Sequence, residues 1–294
     1  MTQKTILEIK NLNISFSQKD RKIEAVKNLS LDVQENSFTC LVGESGSGKT
    51  VTALSLTRLV PSASVTGNIF WEFGGHITKL FSKVETLENN LVMCPQNTDL
   101  TKLSEKELSQ FRGRQISYVF QDPATSLNPL IRVGDQINET YLAHFPTTYE
   151  EAKKETLAHL ESVQLKDVER VYRAYPHELS GGMKQRAMIA MALVAKPKLL
   201  VADEPTTALD VTVEREILKL LEELRKSRNL TILFITHNLR LAASYADVIY
   251  VMKKGEVAEK VERGARGFSM QSDYGKQLFR AGLMGVGPKT FIEV

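Results

Sequence analysis

Residues Gly43-Glu44-Ser45-Gly46-Ser47-Gly48-Lys49-Thr50 fit the pattern G-x-x-x-x-G-K-[ST] without deviation. Glycines in this pattern let successive backbone N–H groups point inward around phosphates; the lysine reaches the outer phosphates and the last hydroxyl sits on Mg²⁺. Far downstream, "LLVADEP" (199–205) brings Asp203 and Glu204 to the end of an apolar run. Behind a phosphate loop, Asp203 would hold Mg²⁺ through water and Glu204 would take a proton from an attacking water. Another apolar run, "LFITH", ends at His237, whose imidazole can hydrogen-bond a γ-phosphate. Gln121 in "VFQDP" follows a further apolar run and offers a contact to Mg²⁺ or water. Taken singly, the acids have a common bland reading as solvated strand-end residues, and the histidine and glutamine are more often a structural cap and an idle loop residue. Ser180, Gly181 and Gly182 open what reads as a helix, where free backbone N–H groups favour an anion. One chain thus carries two phosphate cradles.

These residues need elements to carry them. Alternation in 6–16 and 23–33 predicts two antiparallel strands with one solvated face. The run 37–43 enters the phosphate loop as a strand buried on both faces, followed by a helix over 49–60 that stops at Pro61. Further strands are expected at 67–73, 115–123, 196–205 and 229–238, and a hairpin is expected to turn at Lys254-Gly255. Capping boxes at Ser104/Glu107 and Thr148/Glu151 open two helices, and 212–228 forms an amphipathic one. Residues 74–101 show no clear period and read as a surface insertion; His76 and Cys94 within it lack metal-ligand spacing. Alternating strands and helices predict a mostly parallel sheet covered on both faces, with its ligand at the carboxyl ends of the strands. Three runs deliver chemistry at those ends. Phe16, at the end of the first strand, can stack on an adenine face, although a lone aromatic more often packs in a core.

Lys+Arg 38 against Asp+Glu 35 is too balanced for a nucleic-acid binder. The longest apolar run, 187–195, is far short of the roughly 20 residues that span a bilayer. Two cysteines without redox or metal spacing leave a cytoplasmic protein as the default, with any membrane work done by other subunits.

With the Ser-Gly-Gly motif set between phosphate loop and acidic strand, the sequence resembles the nucleotide-binding subunit of an ATP-binding cassette (ABC) transporter over about residues 6–283. The resemblance places Phe16 at the adenine-stacking position, Gly43, Glu44, Ser45, Gly46, Ser47, Gly48, Lys49, Thr50 and Val51 on the triphosphate, and Gln121 in the Q-loop. Ser180-Gly181-Gly182 become the signature, Asp203-Glu204 the Walker B end, Asp210 the D-loop and His237 the switch. It implies ATP and Mg²⁺ as cofactors, catalytic roles for Glu204, His237, Lys49 and Gln121, and Mg²⁺ contacts from Thr50, Gln121 and Asp203. The implied fold is α/β: a P-loop NTPase (RecA-like) core with an antiparallel β subdomain and an inserted α-helical subdomain. One ABC ATPase domain would cover 1–262, with the helical subdomain at about 121–190, the insertion at about 74–101 and a short tail at 263–294.

The family pattern resolves the second cradle: two cassettes pack head to tail, each signature holding the γ-phosphate bound to the opposite subunit. "FQDPATSLNPLIRVGDQI", "YPHELSGGMKQRAMIAMAL" and "LLVADEPTTALDVTV" resemble the oligopeptide, dipeptide and nickel importer branch. The implied partners are a second ABC ATPase subunit, identical or different, integral-membrane permease subunits and, indirectly, an extracytoplasmic solute-binding protein. The expected location is peripheral, on the cytoplasmic face of the plasma (inner) membrane. An importer ATPase for a nickel or other metal chelate or another small solute is the alternative, followed by a non-transport ABC ATPase and the inactive nucleotide-binding half of a heterodimer. Two features depart from the branch: the 74–101 stretch is longer than usual, and no cysteine-containing extension follows "DYGKQLFRAGL" (273–283).

Overall fold

The computed structural model of the chain describes residues 4–18, 21–72, 76–77, 92–93, 97–207, 209–265, 267–283 and 292–293. The chain divides into two units, one formed by Met1–Phe73, Gln96–Leu108 and Arg228–Val294, the other by Gly74–Pro95 and Ser109–Ser227.

In the first unit, strands Thr5–Gln18 and Arg21–Gln34 pair antiparallel, as their alternation predicts. A register shift between Lys10 and Asn13 moves the buried series from Leu7 and Ile9 to Leu12 and Ile14, so one face stays apolar along the whole strand. Ala63–Trp71 joins the other edge and Thr98–Asp99 extends it, giving a four-stranded antiparallel sheet. Asp99 anchors that edge. Burial acts to raise its carboxyl pKa, but hydrogen bonds from Thr101, Asn68 and Lys102 prevail and hold it down to about 2.

The same unit contains a parallel layer. Phe38–Gly43 lies between Thr231–Thr236 and Val248–Lys253, parallel to both. All six residues of Phe38–Gly43 and of Thr231–Thr236 are buried, the pattern of strands covered on both faces. Glu256–Glu262 returns antiparallel to Val248–Lys253 through Lys254-Gly255, both with positive φ, which is the expected hairpin.

Tyr250, 2% exposed, ties this layer to strand Arg21–Gln34. Its hydroxyl accepts from the Asp32 amide at 3.0 Å and donates to Asp32 Oδ1 at 2.7 Å, where Lys260 Nζ also donates at 2.8 Å. Tyr250→Phe removes two of these bonds while keeping the ring. It should cost about 1–3 kcal/mol in urea unfolding, and an unchanged midpoint would show the network to be ornamental.

The helix after the phosphate loop is shorter than predicted. It covers Lys49–Ser55 rather than 49–60. Arg58 adopts φ 53°, Leu59 N–H bonds Leu54 O at 2.9 Å and Arg58 N–H bonds Ser55 O at 3.2 Å, closing the helix in a Schellman arrangement. Glycine usually takes that position. Here Arg58 carries its strain because its guanidinium donates to the carbonyls of Leu100, Thr101 and Leu103.

The second unit holds the parallel pair Ile116–Val119 and Leu199–Asp203 and a set of helices, the longer ones being Val133–His144, Tyr149–Ser162, Gly181–Leu193 and Val211–Arg228. Thr148 and Glu151 form the predicted capping box. Arg186 joins three of these helices: its guanidinium donates to Val163 O at 2.9 Å, Gln164 Oε1 at 3.2 Å and Glu216 Oε2 at 3.0 Å. Ile217, Leu218, Leu220, Leu221 and Leu224 form the buried face of Val211–Arg228. Of the 74–101 stretch, His76–Ile77 pairs antiparallel with Val92–Met93, while Cys94 and residues 78–91 lie outside the described residues.

Candidate functional site

The chemistry-bearing residues fall into two sets, one in each unit. In the first, the phosphate loop follows strand Phe38–Gly43 and is clamped between two backbone segments. A Cβ on Gly43 would lie 2.3 Å from Met252 O, and Gly48, at φ 99°, would place one 2.5 Å from Ala25 O. Only glycine fits at either position. Gly255 N–H donates to Ser47 O at 3.0 Å and Lys27 N–H donates to Gly255 O at 2.8 Å, so the 254–255 turn fastens the loop from one side. That turn is a part of the site that the sequence did not point to; its Lys-Gly pair signalled only a hairpin.

Lys49 is 5% exposed, and its ammonium donates to Gly43 O at 2.9 Å and Glu44 O at 2.8 Å. The long cation is thereby held over the loop's own main chain. Glu44, Ser45, Gly46 and Thr50 are exposed, Val51 is half-buried and Ser47 is buried. Phe16 is half-buried and stands opposite Ile23 and Ala63 on the sheet. His237, exposed, occupies the junction between strand Thr231–Thr236 and helix Leu239–Tyr245. Asn238 fixes that junction: its amide donates to Thr236 Oγ1 at 2.9 Å and its side chain caps the helix at Arg240 N–H, 3.2 Å.

In the second unit, Gln121 follows Ile116–Val119 and Glu204 follows Leu199–Asp203, the two being neighbouring parallel strands. Gln121 Nε2 donates to Glu204 Oε2 at 3.5 Å, a long bond, and Thr207 Oγ1 donates to the same oxygen at 3.0 Å. Glu204 has φ 45°, an uncommon conformation for a side chain of its size, closed by Thr207 N–H on Glu204 O at 3.3 Å. Thr207 therefore aims the carboxylate, a role its sequence position did not suggest. Asp203 is 7% exposed at the strand's last residue.

Ser180 caps helix Gly181–Leu193, its Oγ accepting from Met183 N–H at 3.4 Å. Gly182 packs so tightly on the next helix that a Cβ would fall 2.8 Å from Val213 Cγ1. Asp210 Oδ1 accepts from the amides of Thr212 and Val213, each at 3.0 Å. The aspartate expected at nucleotide thus also serves as a helix cap.

A comparison with protein families matches the ABC transporter model over residues 26–207. Among curated proteins, the glutathione import ATP-binding protein GsiA of Escherichia coli (strain K12) is 41% identical over 257 residues, 86% of this chain. GsiA of Shigella flexneri matches to the same extent. The chain spans 38% of the length of these relatives. Among solved structures, the ATP-binding cassette MJ0796, dimeric in a post-hydrolysis state bound to ADP and Pi, superposes with TM-score 0.72 at 27% identity, over 88% of this chain and all of that one. Also similar is cbiO1 of Clostridium perfringens, part of an ABC transporter complex, with TM-score 0.68 and 25% identity over 88% of each chain.

Proposed function

The chain belongs to the ABC transporter family of ATP-binding cassettes, and from that premise we propose that it is the MgATP-hydrolysing subunit of a membrane importer for small peptides. The observation that carries this reading is the joint presence of a clamped phosphate loop at one strand end and a hydrogen-bonded Glu204 at another.

The residues fit the implied ligands. The loop's glycines leave room where a Cβ would clash, and Thr50, Gln121 and Asp203 offer oxygen donors, which suit Mg²⁺. Mg²⁺ would supply charge neutralisation on the phosphate oxygens and align them. Lys49 would exchange its bonds to Gly43 O and Glu44 O for phosphate oxygens, delivering a full positive charge at little reorganisation. Phe16 would stack on the adenine. Glu204, held by Thr207 and Gln121, accepts the proton of the attacking water, and His237 and Gln121 hold the γ-phosphate end.

Ser180, Gly181 and Gly182, with Asp210, would serve the nucleotide of a second ATPase subunit. Two triphosphates would then become part of the interface, favouring closure until hydrolysis releases it. Permease subunits would take up that motion at the cytoplasmic face of the membrane, fed by an extracytoplasmic solute-binding protein. No described helix is long and apolar enough to cross a membrane itself. Peptide as solute rests on GsiA, since glutathione is a tripeptide; a metal chelate is the second reading, from the branch's nickel members.

Phosphate release by the purified chain, alone and with the membrane subunits that co-purify in mild detergent, tests this function. Lys49→Ala should weaken MgATP binding by roughly 10–100-fold, the worth of a charged hydrogen-bond set. Absence of phosphate release in both preparations, or full binding by Lys49→Ala, would contradict it.

A further inference from the structure

Helix Asp273–Leu283 has no part in the scheme above, yet one of its side chains, Tyr274, interacts with Glu44 of the phosphate loop. The helix is anchored by Phe279, fully buried, and its start is fixed where the Glu259 carboxylate accepts from the amides of Gln271 and Ser272. Ser272 Oγ in turn accepts from Gly275 N–H at 2.9 Å. This leaves Tyr274 little freedom. Its hydroxyl is buried without a hydrogen bond of regular geometry.

What surrounds Tyr274 belongs to the loop and its clamp. Lys253 Nζ lies 4.2 Å from the centre of the ring. Lys253 ends the strand whose Met252 carbonyl abuts Gly43, and it precedes the turn that bonds Ser47 O. The hydroxyl faces Glu44, the second residue of the loop; burial first, and then the Glu44 charge, push the phenol's pKa up. Glu44 O in turn accepts from Lys49 Nζ at 2.8 Å. Lys253, Tyr274 and Glu44, the last through its main-chain carbonyl, therefore lead from the last described helix to the Lys49 amine that would meet phosphate. A buried hydroxyl is costly without a partner, and Glu44 is the loop residue placed to supply one.

We infer that Tyr274 is a positioning residue for nucleotide binding: fixed by Lys253, it holds Glu44 and with it the entrance of the phosphate loop in the conformation that accepts a triphosphate. This rests on the ATPase reading above. It adds a role for a segment beyond the nucleotide motifs.

The test is a double-mutant cycle on the full chain, with MgATP affinity read by a fluorescent ATP analogue and turnover by phosphate release. Tyr274→Phe should raise the dissociation constant and KM about fivefold while kcat at saturation stays within about twofold, the worth of one polar contact. In a Glu44→Ala background the same substitution should change affinity by less than about 1.5-fold, because coupled residues are not additive. Lys253→Met, which keeps the stem and leaves the helix untouched, should weaken affinity in the same direction as Tyr274→Phe. Melting curves check that all variants fold. Equal losses with and without Glu44, or an unchanged dissociation constant in both Tyr274→Phe and Lys253→Met, would overturn the inference. Failure of the wild-type chain to bind MgATP would instead sink the ATPase reading on which it rests.

Discussion

Glu204→Gln is expected to bind MgATP as the wild-type chain does and to hydrolyse it about 10²-fold more slowly or worse. The substitution is nearly isosteric and removes only the capacity to accept a proton. Its surroundings should hold: Thr207 Oγ1 can donate to the amide oxygen as it does to Glu204 Oε2 at 3.0 Å, and the left-handed backbone at residue 204 is unchanged. The phosphate loop, fastened by Met252, Ala25 and Gly255, owes nothing to this side chain. Binding and chemistry should therefore separate. Single-turnover phosphate release, started by adding Mg²⁺ to preloaded enzyme, reads the chemical step alone. Near-normal rates would remove Glu204 from the base role and leave water positioning by Gln121 or His237 as the alternative.

Ser180→Arg should leave the first MgATP bound at residues 43–50 with its normal affinity, yet lower turnover about 10²-fold, the scale of losing aligned donors at developing charge. A long cation at the start of helix Gly181–Leu193 would fill the space a neighbouring γ-phosphate needs. Ser180→Arg also removes a helix cap, worth about 1 kcal/mol, so Ser180→Ala is the matched control: it loses the cap without adding bulk. The helix should survive either change, because Ala187, Met188, Ile189, Ala190 and Leu193 stay buried. The expected order of turnover is wild type, then Ser180→Ala, then Ser180→Arg far below. Turnover in Ser180→Arg no lower than in Ser180→Ala would mean that no neighbouring phosphate occupies the space in front of residue 180.

The parts of this molecule that could be read from its sequence are those where local chemistry admits one answer. The phosphate loop demands glycine where Met252 O and Ala25 O press in, and the spacing records that demand. Buried runs such as Thr231–Thr236 announce themselves by their lack of charged residues, and Thr5–Gln18 by its solvated alternation. The early helix end at Ser55 was hidden because its stop is an arginine, tolerated in the left-handed conformation by carbonyls more than 40 positions away. Thr207 and Tyr274 were hidden for a related reason. Nothing local marks a threonine as the orienter of Glu204, or a tyrosine over 200 residues downstream as the neighbour of Glu44. Asp210 illustrates the opposite case, a residue whose capping work and expected nucleotide role share one side chain.

The central claim is that one subunit's signature completes another's nucleotide site. It is tested most directly by the structure of the Glu204→Gln variant trapped with MgATP, together with any second ATPase subunit that co-purifies. The expected result is a pair of cassettes in which the amides of Gly181 and Gly182 and the hydroxyl of Ser180 lie within hydrogen-bond distance of the γ-phosphate held by the opposite subunit. A MgATP-loaded chain with residues 180–182 facing solvent, and no second cassette across from them, would contradict it.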